Sequence, residues 1–371
     1  MGNIHFPPAF MNSLSLVDDW ISSQEGADDE RPPRYRTEAN RHRNRGFALN
    51  EVTHLSDSEF SKMFRMSKAG FERLLELTSP FMHDTDERFA HMSSGSVISK
   101  RTKLFTTLRW LAGGSYLDIC FAWGISSSSF YSGHPSRGTL WPTIEAIVDQ
   151  VFEIGLPLDN VDELSRLAQE FSTFSNGQLY GCVTAIDGWI ARTRKPSRFE
   201  VSDIMAYRNR HGCWGTVVLA GCDARCRFTM FSCKNTGSCN DIMAWDFSCL
   251  KKLVEVDGRL PDGFFIIGDE AFICTDKFLV PYSGRGLGCC WKDSFNFYLS
   301  VMRQCIERAF AILTQRWGVL WRDIRCSYFR WTLLLTVLAK LHNYCIDGNI
   351  PLNRSRFHED EEPGLNFSHS S

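Results

Sequence analysis

CVTAIDGWIA, residues 182–191, sets the reading of this chain. Val183-Thr184-Ala185-Ile186 is apolar and rich in β-branched residues, so it predicts a strand over 179–190. That strand runs into an acid, Asp187, followed by Gly188. GFFIIGDE, residues 263–270, repeats the arrangement, with Gly268 and Asp269 after Phe264-Phe265-Ile266-Ile267. The second run has no alternation, which suits a central strand buried on both faces. Side by side and parallel, the two strands would bring both carboxylates to the sheet edge where α/β proteins place ligands. Read singly, each Asp is a turn residue or helix cap. The pair, each beside a Gly that admits a close neighbour, makes a site an equal reading.

Between the two strings, WGTVVLAGC (214–222) and CRFTMFSC (226–233), joined by Asp223-Ala224-Arg225, predict a hairpin. Helices are expected over 240–256, 295–317 and 329–345, which gives an α/β class with helices on both faces of a mixed sheet. Upstream, 56–170 reads as helical. Phe60, Met63, Phe64 and then Phe71, Leu74, Leu75, Leu77 recur mostly at three and four, with Ser67 as a cap. The segment 109–131 reads either as a helix-turn-helix DNA-binding unit or as part of a plain three-helix bundle. The chain thus divides into an Arg-rich arm (1–50), a helical part (51–175), an α/β part (176–348) and an acidic tail (349–371).

A third carboxylate follows from helical geometry. On 295–317, Phe295, Leu299, Met302, Ile306, Phe310, Leu313 and Trp317 make the core face. Asn296, Ser300, Arg303 and Glu307 form a polar stripe at its edge. The plain reading of Glu307 is a surface acid paired with Arg303, worth a few tenths of a kcal/mol. Converging with Asp187 and Asp269, it would complete an all-oxygen site for two Mg²⁺ or Mn²⁺ ions, suited to in-line phosphoryl transfer.

Composition sets the limits. The 371 residues suit about two domains, and 43% hydrophobic with 23% charged is ordinary for a globular protein. The longest apolar stretch, 331–341, carries Lys340 and is too short to span a bilayer. The net charge of −2 conceals six Arg within 31–46 and the acidic run 359–362. The start shows no signal-peptide pattern, so the 14 Cys are expected to be reduced and the chain intracellular.

AIDGW (185–189), YRNRHG (207–212), GCD (221–223), GSCND (237–241), GDEAF (268–272), the helix FNFYLSVMRQCIERAFAILTQRWGVL (295–320) and LAKLHNYC (338–345) together resemble the PIF/Harbinger transposases. The resemblance covers roughly 180–346 and implies an RNase H-like DDE nuclease that cuts transposon ends and joins 3′-OH to target DNA in the nucleus. Its catalytic, metal-binding acids fall on Asp187, Asp269 and Glu307. It further implies double-stranded DNA as substrate, a separate Myb-like DNA-binding partner and a homo-oligomer. A domesticated DNA-binding protein without transposition, and a nuclease acting on RNA, are the alternatives. The chain departs from the family in having Glu270-Ala271-Phe272 after the second Asp and Ala311 where Gly is usual.

Arg192, Arg194, Lys195, Arg208 and Arg210 border the expected site as a phosphate track or as a solvated loop; Arg303 and Arg308 would steady the helix or the scissile phosphate. Asp223 rivals Asp269 as second acid, and Asp203 and Asp241 read as caps or solvent-facing acids. Five Cys within 213–239 lack the C-x₂-C spacing of zinc sites. His342 reads as a hydrogen-bonded core residue.

Overall fold

The computed structural model describes residues 44–87, 97–284 and 288–349, so the arm up to residue 43 and the acidic tail lie outside it. The helical part begins earlier than the sequence suggests. Arg45–His54 is helix α1, because the Asn44 side chain accepts from Phe47 N–H and starts it within the stretch assigned to the arm. Asp57–Phe64 (α2) opens with a capping box between Ser56 and Glu59, and Lys68–Thr78 (α3) is capped by Ser67 as expected. Lys100–Leu111 (α4) follows, then Tyr116–Ala122 (α5) and Ser127–Tyr131 (α6), with Gly124 at φ 61° in the turn between α5 and α6. Ser126 caps α6 by accepting from Ser129 N–H at 3.1 Å. Leu140–Gln150 (α7) and Val161–Ser172 (α8) lead to the sheet. Stacked rings hold this part together, with Phe71–Phe105 at 4.0 Å and Phe105–Trp123 at 5.5 Å between centroids.

The sheet comprises β1 (Cys182–Arg192), β2 (Gly215–Cys222), β3 (Phe228–Thr236), β4 (Phe265–Ile267) and β5 (Phe278–Leu279), in the order β3-β2-β1-β4-β5. The hairpins β1–β2–β3 are antiparallel, while β1–β4 and β4–β5 are parallel. This mixed five-stranded sheet with flanking helices agrees with the expected RNase H-like fold. Asp223, the rival second acid, closes the β2–β3 turn by accepting from the N–H groups of Arg225 (2.9 Å) and Arg227 (2.8 Å).

The helix expected over 240–256 is interrupted. Asp241–Asp246 (α9) stops at Phe247, where the Ser248 side chain caps a new turn, Cys249–Lys251 (α10), that runs on as a π turn to Val256. Cys290–Arg316 (α11) starts five residues before the expected Phe295; its first turn is mostly exposed and carries no apolar period to mark it. Tyr328–Asp347 (α12) completes the fold. β1 feeds two cores. Cys182 and Ala185 belong to the one that holds α11 and α12, and Val183 and Ile186 to the one that holds α8 and α9. This spacing of three goes with the irregularity between Cys182 and Thr184.

The first core continues without a break into the helical part, and polar ties reinforce it. Arg316 donates to Arg65 O, Arg330 donates to Tyr131 O and lies over the Trp141 ring, and Lys340 donates to Val148 O and Val151 O. Among the described residues no helix is long and apolar enough to cross a membrane.

Candidate active site

Ala185 of β1 pairs with Ile267 of β4, so Asp187 and Asp269, each two residues further on, leave the parallel pair at the same edge. Alternation carries the Asp187 side chain to the α11 face. There Arg303 Nη1 donates to Asp187 Oδ2 at 3.2 Å, and Arg303 Nη2 lies 2.9 Å from Glu307 Oε1 one turn along the helix. Gly188 N–H donates to Asp187 Oδ1 at 2.8 Å. Both oxygens of Asp187 are therefore engaged.

Burial pushes the Asp187 carboxyl up to about 7. Arg303 and the Gly188 N–H pull against that rise, and the neighbouring Asp269 and Asp241 add to it. Asp269 is half-buried and accepts from Ala271 N–H at 3.0 Å, which fixes the turn after β4; Glu270 beside it is exposed. Glu307 stands at the solvent side, with a side chain 52% exposed against 20% for Asp187.

Asp241 is the residue that sequence reasoning misplaced. Asn240 is the cap of α9, accepting from Met243 N–H at 2.8 Å, and this leaves Asp241 as the first helical residue, half-buried against the other face of β1. Burial raises its carboxyl, Asp269 raises it further and Arg210 opposes the shift. Asp187, Asp241 and Asp269 thus share one field, coming from two strands and a helix start. The β3–α9 connection alone brings Asp241 there, so the only signal in the sequence was an acid directly after the cap in GSCND.

Gly188 is the space that admits Asp241: a Cβ at this position would collide with the Asp241 carboxylate. Gly188→Ala is therefore expected to push the Asp241 carboxylate aside and cost about 1–3 kcal/mol, read as a lower denaturation midpoint. A midpoint unchanged within error would show that the contact is yielding.

The basic residues divide into two groups. Arg192 pairs with Asp323 at 3.3 Å, Arg194 with Glu200, and Lys195 lies over the Trp214 ring at 5.4 Å, so these three brace the loop after β1. Arg210 faces Asp241, and Arg208 pairs by backbone with Trp214 on the same loop. Arg308 turns away from Asp187 and lies over the Phe174 ring at 5.4 Å. His342 is buried, with Nε2 2.8 Å from Cys226 O, and burial pushes it down to about 4, as suits a core residue.

Among the described residues no group of three or more His, Cys, Asp and Glu is arranged to hold a metal ion as it stands. The donor chemistry nevertheless fits a hard divalent cation. The acids offer oxygen only, and burial and mutual repulsion leave Asp187 short of positive charge. Arg303 stands between Asp187 and Glu307 and contacts both.

Comparison with curated proteins gives no match, and neither does comparison with solved structures. Residues 186–343 match the family model described as DDE superfamily endonuclease, a stretch that holds Asp187, Asp241, Asp269, Arg303 and Glu307. That stretch is similar to the DDE endonucleases, which as a class use divalent metal ions, and the similarity supports a nuclease of the transposase type with DNA as substrate.

Proposed function

We propose that the chain is a PIF/Harbinger-type transposase, a metal-dependent nuclease that cuts double-stranded DNA at transposon ends and joins the freed 3′-OH to target DNA. The observation that carries this reading is the delivery of Asp187 and Asp269 to one sheet edge by parallel strands in register, with Glu307 presented beside them by α11. Asp187, Asp269 and Glu307 would hold the ions. When bound there, Mg²⁺ or Mn²⁺ would stabilise the attacking and leaving oxygens of an in-line displacement. Burial around Asp187 excludes water from one side and strengthens each charge interaction at the scissile bond.

Arg210, beside Asp241, would contact a backbone phosphate and set the register of the duplex. The α5–α6 pair would add a major-groove contact in the helix-turn-helix manner. A nuclear location, a Myb-like DNA-binding partner and self-association complete the proposal.

A cleavage assay on a duplex carrying the element's terminal repeats, in Mg²⁺ or Mn²⁺ against EDTA, tests the reading. Cutting that needs the ion and disappears in Asp269→Ala and Glu307→Ala is expected. Cutting that survives in EDTA or in either variant would remove the assignment. No cutting by the wild type, even with the partner protein, would favour a domesticated DNA-binding role.

A further inference from the structure

The feature the nuclease reading leaves unexplained is a guanidinium lying where two acids of the site ought to meet. Arg303 donates to Asp187 Oδ2 with one nitrogen and meets Glu307 Oε1 with another, and its side chain is 23% exposed. The second oxygen of Asp187 is already taken by Gly188 N–H. A cation that binds Asp187 Oδ2 and Glu307 Oε1 together would compete with Arg303, which contacts both of these oxygens. Competition can open this contact: another cation for the carboxylates, or another planar anion for the guanidinium. A DNA phosphate offers the same two-pronged acceptor as a carboxylate. It can approach from the open side, where the side chain of Glu307 is 52% exposed.

We propose that Arg303 is a placeholder cation. It bridges Asp187 and Glu307, offsetting part of their charge. When a divalent ion enters, it gives up the carboxylates and takes a phosphate of the bound DNA. The inference rests on the nuclease reading above and adds an order of events to it. Ion and DNA each release what the other needs, so each tightens the binding of the other, by the same factor in both directions.

Mn²⁺ titration by calorimetry on the full chain tests this, with wild type, Arg303→Gln and Arg303→Lys, with and without a short duplex. Two partly exposed ion pairs correspond to about a tenfold change in affinity, so Arg303→Gln is expected to bind Mn²⁺ about tenfold more tightly than wild type when DNA is absent. DNA should tighten Mn²⁺ binding more in the wild type than in Arg303→Gln; equal tightening in the two would overturn the proposal.

Arg303→Lys separates the placeholder from a simple field effect. Lysine keeps the charge but cannot fork between two acids, so its Mn²⁺ affinity should fall between those of wild type and the Gln variant; an affinity equal to wild type would show that charge alone matters and would overturn the proposal. Equal Mn²⁺ affinity in wild type and Arg303→Gln would overturn it as well. Absence of Mn²⁺ binding in all three proteins would instead take away the metal reading beneath it. Circular dichroism confirms folding of each variant, and either variant alone gives a usable comparison with wild type.

Discussion

Asp187→Asn is expected to abolish cutting and, in EDTA at neutral pH, to make the protein more stable. Burial first, then Asp269 and Asp241, push this carboxyl up to about 7 from its ordinary 3.8, despite Arg303 and Gly188 N–H. In the unfolded chain the group ionises near its ordinary value. Between about pH 4 and pH 7 the folded protein therefore holds a proton the unfolded chain has lost. Stability falls as pH rises through that window and levels off above it. The rise from 3.8 to about 7 bounds the penalty at about 4 kcal/mol. The side chain is one-fifth exposed and the variant weakens the Arg303 contact, so a gain of about 1–3 kcal/mol at pH 7.5 is the expected size. Loss of an ion-holding carboxylate should lower the cutting rate by at least about 10³-fold, the equivalent of roughly 4 kcal/mol at the transition state. Urea midpoints in EDTA between pH 5 and 8 check the stability half. A variant less stable than wild type at pH 7.5 would show that Asp187 is already well neutralised.

Glu200→Gln is expected to act with the opposite sign. Burial alone would raise this carboxyl, but donation from Arg194, from Ser197 N–H and hydroxyl and from Tyr328 N–H holds it down to about 2. Its folded value lies below its unfolded one. The stability it supplies is complete above about pH 4.5 and is lost as pH falls towards 2. The side chain is 13% exposed, and removing its charge at pH 7 should cost about 2–3 kcal/mol. Glu200 ties the loop after β1 to the start of α12, so the loop carrying Arg198, Arg208 and Arg210 should loosen too, and affinity for duplex DNA should fall at low salt. A variant whose acid transition matches that of the wild type would rule Glu200 out as the source of the pH dependence.

β1 to β4 were legible from their dense apolar runs, whereas the two-residue β5 left no pattern. β1 does not stop at Asp187 but runs on to Arg192 along β2. The acid marks where β1 leaves β4 rather than where the strand ends. The β1–β4 pairing that aligns Asp187 with Asp269 was inferred from the two acids alone. α11 was legible from its core period, and Arg303 with Glu307 from the stripe beside it. What could not be read was contact across the sheet. Asp241 depends on the length of β3 and on Asn240 acting as the cap, and neither leaves a periodic trace. The break at Phe247–Ser248 was hidden for a related reason. An apolar pattern continues through it, while a single serine side chain decides where a new turn begins. The basic run after Asp187 read as one track, yet Asp323, Glu200 and Trp214, distant in sequence or across a turn, take up three of its members.

The uninterrupted core between the helical part and the sheet has a mechanical meaning. Gly113 and Gly318 approach so closely that a Cβ on Gly113 would lie 3.1 Å from the Gly318 Cα, and Arg330 fastens α12 to the end of α6. The α5–α6 pair therefore cannot pivot like a reading head on a tether. If it grips DNA, the span from that grip to Asp187 works as a fixed ruler. Breaks would then fall at a constant number of base pairs from the gripped sequence, and lengthening a surface loop elsewhere would not shift that offset.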